Sequence, residues 1–182
     1  MIVARGGRAI RARRLTGAIL GLAILATTAA CQQQPSDTSS TERNKALVRR
    51  WIEEGFNQRS LRVVDELFAE QVAVNGQMIG RDGFKHSMSR HLGGFPDLHV
   101  TIDDIAAEGR KVGVWYTVEG THRGEFEAIP ATGNHVKWVG VDLFSIDGGK
   151  ISEARFLSDF QGLLTQLGAT VSLPRSPERV RP

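Results

Sequence analysis

The sequence predicts an α+β domain with its helices gathered on one face of a curved, mainly antiparallel sheet. Three observations carry this. Apolar residues recur at helical spacing before Pro96, the period falls to two after it, and glycine-containing turns punctuate the second half at hairpin intervals. In order along the chain, Ala46, Leu47, Trp51, Ile52 and Phe56 recur at short helical intervals, on one face of a helix over residues 42–57. Ser60 opens a short second helix at 61–68. A third, at 81–92, spaces Phe84, Met88 and Leu92 by four residues, and Gly93-Gly94-Phe95-Pro96 stops it. Strands follow at 98–107, 111–122, 136–146 and 150–157, with Glu108-Gly109-Arg110 and Asp147-Gly148-Gly149 as hairpin turns. A short C-terminal helix ends at Leu167. Ser158 and Gln161 have capping-box spacing before it, which puts Asp159 in its first turn.

What flanks the domain, residues 42–170, is of a different character. Arg5, Arg8, Arg11, Arg13 and Arg14 precede an uncharged apolar run from Leu15 to Ala30, and the only cysteine, Cys31, follows Thr28-Ala29-Ala30. That is the order of an export signal, and the run is shorter than the ~20 residues of a comfortable membrane span. Residues 1–30 therefore read as a lipoprotein signal peptide, with Cys31 as the lipidated residue of the exported chain. An ordinary secretory signal with a cysteine beside the cut is the alternative. Each buried acyl methylene adds about 0.8 kcal/mol, so acyl chains on Cys31 would anchor the domain to an envelope membrane, facing the periplasm or the exterior. Residues 31–41 hold no aliphatic or aromatic side chain beyond that cysteine and read as a flexible tether. Residues 171–182, with three prolines, read as a disordered tail.

Charge and motif content exclude several functions. Five of the 23 basic residues and none of the 20 acidic ones precede Cys31, so the chain from Cys31 onward has 18 against 20, formally −2, and gives no support to nucleic-acid binding. A lipidated thiol leaves no cysteine for disulfides. His86, His91, His99, His122 and His135 have no metal-site spacing, and there is no nucleotide-binding glycine motif or nucleophile elbow, so neither metal nor cofactor is expected.

Six segments together carry a family resemblance: NKALVRRW at 44–51, GRDGF at 80–84, FPDL at 95–98, GTHRGEF at 120–126 with IPATG at 129–133, DGGKI at 147–151, and DFQGLLTQLG at 159–168. In this order and spacing the chain resembles SnoaL-like polyketide (ester) cyclases of the nuclear transport factor 2-like superfamily. The resemblance implies a cone-shaped α+β barrel, with three N-terminal helices on the sheet, and a homodimer through the outer sheet face. It also implies cofactor-independent acid/base chemistry. In the family's cyclases an aspartate on the last strand is the general acid/base of an intramolecular aldol closure, with a histidine on the preceding strand nearby. Position by position, that aspartate falls on Phe156 and that histidine on Asp142.

Strand alternation puts Asp142 on one face with Trp138, Gly140, Phe144 and Ile146, an apolar setting that would raise its pKa towards that of a usable base. A purely structural pairing is the alternative. His122, on the face shared by Val114, Tyr116, Val118 and Gly120, is the second catalytic candidate, as a donor to a carbonyl oxygen, and Asn75 is a further polar pocket candidate. Trp51, Phe56, Met78, Met88, Trp115, Trp138 and Phe156 are the apolar candidates for a ligand wall. Two functions remain open: an acid/base cyclase or isomerase acting on a small hydrophobic carbonyl compound, and a non-catalytic envelope lipoprotein that binds a small apolar ligand.

Overall fold

The computed structural model describes residues 35–169; the signal segment, Cys31 and the tail at 171–182 lie outside the described residues. Helix α1 (Pro35–Arg50) begins inside the segment expected to be a tether, seven residues ahead of Glu42. Proline is pre-set for a first helical turn. Farther along, Thr41 Oγ1 donates to the Thr38 carbonyl at 2.9 Å and Arg43 donates to Ser39 Oγ, so polar side chains support this extension without a core to bury. The helix continues as a π-helical segment, Trp51–Asn57. Gly55 permits the wider turn, because a Cβ there would lie 2.2 Å from the Trp51 ring.

The second helix, α2 (Val63–Leu67), is shorter than its pattern predicted, and the chain passes straight into strand β1 (Phe68–Val74). Asn75 and Gly76, both at positive φ, turn it into the two-residue β2 (Gln77–Met78). Helix α3 spans Gly80–Gly94, and the four long strands β3 (His99–Glu108), β4 (Lys111–Thr121), β5 (His135–Asp147) and β6 (Lys150–Ser158) follow near their expected limits. Helix α4 (Phe160–Gln166) closes the domain. Its cap differs from the expected box: Asp159 itself is the N-cap and accepts from the Gly162 N–H at 2.8 Å.

The six strands form one sheet in the order β2-β1-β6-β5-β4-β3, antiparallel except for the parallel β1–β6 pair. On the helical side Trp51, Phe68 and Phe84 pack with ring centroids 4.6–5.3 Å apart, all fully buried. Two side chains fix the helices on the sheet. Asn57 pairs with the backbone of Val100 in both directions, donating at 3.1 Å and accepting at 2.8 Å, as a neighbouring strand would. Arg59 donates to the carbonyls of Leu92 and Pro96 at 2.8 and 2.9 Å, tying the end of α3 to the π-helical segment's exit. No described helix is long and apolar enough to cross a membrane.

Candidate functional site

Between the inner face of β4–β6, the π-helical segment and α3 lies an open-mouthed cavity of about 400 Å³. The alternation of β5 builds its floor: Trp138, Gly140, Asp142, Phe144 and Ile146 are buried, while Val139, Val141 and Leu143 are exposed. Asp142, only 4 % exposed, is a carboxyl set among Trp138, Phe156, Val118 and Leu98. Desolvation dominates its titration and pushes it from the usual 3.8 up to about 7; hydrogen bonds from Tyr116 and the Leu157 backbone N–H favour the charged form without offsetting the burial.

The Tyr116 bond depends on a missing side chain. Tyr116 of β4 pairs directly with Gly140 of β5, and a Cβ on Gly140 would lie 2.4 Å from the phenol Cζ and Oη. With that space open, the ring crosses the strand and Oη donates to Asp142 Oδ1 at 3.0 Å. Burial first, and then the adjacent carboxylate, raise the phenol pKa far above its usual value, so Tyr116 stays a neutral donor.

Of the other expected site residues, Phe56, Met88, Trp138, Phe156 and Asn75 line the cavity. Asn75 sits at its mouth, exposed, with Oδ1 already accepting from the Phe156 N–H at 2.8 Å. His122 does not line the cavity. It is fully buried beyond the end of β4, 5.3 Å from the Phe95 ring, and its Nδ1 accepts from the Thr132 N–H at 3.2 Å. It therefore clamps a loop instead of facing a ligand, and among the described residues its buried Nε2 has no partner. Trp51 lies behind the wall, enclosed by Phe56, Phe68 and Phe84. Trp115 is 53 % exposed on the outer sheet face, because its neighbours Val114 and Tyr116 point inward. Met78 edges a separate, mostly polar surface groove with Asp65, Glu70 and Asp82.

Sequence reasoning missed Tyr116 and His91 as lining residues. The strand alternation that turned Trp115 outward already held the signal for Tyr116. Among the described residues no group of three or more His, Cys, Asp or Glu side chains could hold a metal ion.

Comparison with known proteins gives a consistent picture. A family model described as SnoaL-like polyketide cyclase matches residues 46–167. A protein from Jannaschia sp. CCS1 assigned as a SnoaL-like polyketide cyclase is 24 % identical with a TM-score of 0.66, over 78 % of this chain and 100 % of that one. AclR of Streptomyces galilaeus, assigned as a hydroxylase, is 26 % identical at TM-score 0.65, over 74 % and 87 %. TsrD of Streptomyces laurentii is 25 % identical at TM-score 0.66, over 71 % and 97 %. No curated protein matches the chain.

The raised carboxyl has a direct consequence for stability. A carboxyl whose pKa rises on folding binds more protons in the native than in the unfolded state between pH 4 and 7, so its penalty is absent in acid and complete above pH 7. At about 1.4 kcal/mol per tenfold change in proton affinity the penalty is on the order of 4 kcal/mol. The isosteric Asp142→Asn, which keeps an acceptor for Tyr116, is therefore expected to unfold at a higher temperature than the wild type at pH 8, with the gap narrowing by pH 5 and closing near pH 4. Thermal melts across that range check this, and a pH-independent gap contradicts it.

Proposed function

The chain belongs to the SnoaL-like polyketide cyclase family, and from that premise we propose that it is a cofactor-independent acid/base enzyme acting on a small, neutral, hydrophobic carbonyl compound. The observation that carries this reading is Asp142, a desolvated carboxyl on the floor of an otherwise mainly apolar cavity. Its pKa of about 7 suits a base that must work near neutrality. In the proposed step the carboxylate takes a proton from the carbon α to a carbonyl. The C–H electron pair moves into the new enolate, which either attacks a second carbonyl of the same molecule to close a ring or is reprotonated elsewhere. Asp142, now protonated, returns its proton to the alkoxide or to the carbon. Tyr116 is the positioning residue, holding one carboxylate oxygen in place. Among the described residues neither Lys nor Arg lines the cavity, which leaves an anionic ligand without a counter-charge from them.

A second reading rests on Phe156, which stands where the resemblance places the family's aspartate. A cavity that has gained an aromatic wall at that position fits a binder that keeps the ligand and not the chemistry. Proton exchange separates the two. With 2-tetralone in D2O, the wild type is expected to speed deuteration of the α carbon at least tenfold over Asp142→Asn, more at pH 8 than at pH 6, as read by proton NMR. Equal rates with both proteins leave the binder.

The reading includes an address and a partner. Cys31, at the end of a signal-like segment, supports an exported protein held by lipid on an envelope membrane. Cys31→Ser is expected to move the protein from the detergent phase to the aqueous phase on fractionation; unchanged partitioning rejects the anchor. On the outer sheet face Trp115, Val139, Val141, Leu143 and Leu157 form one exposed apolar patch across three paired strands, and a second copy of the chain is the proposed occupant, as the family resemblance implies. Trp115→Lys is expected to convert a dimer to a monomer in sedimentation equilibrium, and a wild type that sediments as a monomer refutes the dimer.

A further inference from the structure

The cavity has a second polar pole, on the helix wall, that neither the strand pattern nor the acid/base reading uses. His91 lies in the last turn of α3, half-buried, with its ring edge-on to Phe126 at 5.3 Å, and it lines the same cavity as Asp142. Its Nδ1 is 3.1 Å from the carbonyl oxygen of Ser87, one turn back on the same helix. A carbonyl oxygen only accepts, so Nδ1 carries the hydrogen. In the neutral ring Nε2 is then a bare lone pair, and with Nδ1 turned back along the helix, Nε2 occupies the far edge of the imidazole. Among the described residues nothing bonds to it. The placement is also rigid. Arg59 holds the carbonyl of Leu92, the next residue, at 2.8 Å, and the Phe95 N–H donates to the His91 carbonyl at 3.1 Å.

We propose that His91 is a second ligand contact of this cavity, its Nε2 accepting a hydrogen bond from a hydroxyl group of the bound compound. This deepens the reading above and rests on it: the ligand class becomes a hydroxylated carbonyl compound, an alcohol or phenol on an apolar body. The two poles ask for different groups. Asp142 addresses an acidic C–H or a carbonyl-bearing part of the ligand, whereas a neutral His91 with Nδ1 committed to Ser87 has no hydrogen to give and selects a donor. The ligand's apolar body would lie against Trp138, Met88 and Phe156. An apolar compound lacking the hydroxyl would cover Nε2 without satisfying it, and that cost is the source of discrimination.

The test is calorimetric titration of the full chain with 1-tetralone and with its 5-, 6- and 7-hydroxy derivatives, which sample the hydroxyl around one rigid ketone. At least one hydroxy derivative is expected to bind the wild type about tenfold more tightly than 1-tetralone, about 1.4 kcal/mol. In His91→Phe, which keeps an aromatic ring, the preference is expected to fall below threefold while 1-tetralone binds within threefold of the wild type, a control that the variant is folded. His91→Gln, which can place an acceptor near the same point, is expected to restore part of the preference. Binding of the ketones with no hydroxyl preference, or a preference that survives in His91→Phe, overturns the assignment to His91 alone. Failure of every tetralone to bind overturns the ligand-site reading itself, and this inference with it.

Discussion

The site depends on the pairing of β4 with β5, which runs from Lys111 opposite Ser145 to Thr121 opposite His135 without a register shift. That ladder sets Tyr116 across from Gly140 and, one step along the diagonal, within reach of Asp142, a distance that long aromatic side chains span between antiparallel strands. A slip of one residue would turn Asp142 and its apolar neighbours to the outer face, and Val139, Val141 and Leu143 to the core. The exposed and buried halves of β5 are thus not interchangeable, and the burial pattern that stabilises the sheet is the same one that places the carboxyl. Gly140 belongs to the constraint. Any side chain there would occupy the path of the phenol, so the smallest residue on the strand decides where its largest polar neighbour goes.

Holding a carboxyl in this setting costs stability, and the rest of the domain shows where the compensation lies. The fully buried rings of Trp51, Phe68, Phe84 and Phe95 and the buried Val63, Val64 and Val72 pack on the helical side and around it. Burying each such side chain contributes roughly 1.5–3 kcal/mol, so a few of them offset one desolvated carboxyl. The hydrogen bonds at Asp142 are too few to restore its ordinary acidity, since Tyr116 supplies one side-chain bond and Leu157 a backbone one. An arginine in the same place would have held the group ionised and structurally inert. Among the described residues no Lys or Arg lines the cavity, which leaves a group that changes protonation near neutrality, the condition under which proton transfer in both directions is easy.

The parts of this arrangement legible in sequence were those governed by local periodicity. The long strands, their glycine turns and the inward direction of Asp142 follow from alternation alone, and β5 obeys it over its central residues. The same rule, applied to β4, separates Tyr116 from Trp115; ranking Trp115 as a wall residue by its bulk overlooked the strand's direction. Other features depend on contacts distant in sequence and leave no local trace. His122 shares the face of Tyr116 but lies beyond the strand's end, where Phe95 and Thr132 enclose it. The start of α1 at Pro35 was hidden because a polar run with nothing to bury looks like a tether, although proline and local hydroxyl bonds suit the outer turns of a helix. Asp159 took the cap from Ser158 through one residue of phase, below the resolution of a spacing argument.

The cross-strand geometry also bears on the residue that the family resemblance places at the centre of the chemistry. Phe156 of β6 and Asp142 of β5 are direct partners in the antiparallel ladder, with side chains on the same inner face. Residues so paired have Cβ atoms about 4.5–5.5 Å apart, so a carboxyl at either position would face the same cavity. Phe156 also stacks on Phe84 at 6.1 Å and so packs against the helical core. Across the ladder, Tyr116 fixes the orientation of the Asp142 carboxyl. An aromatic at 156 and a carboxyl at 142 are therefore neighbours on one wall, and the ring is part of the apolar setting that surrounds the carboxyl.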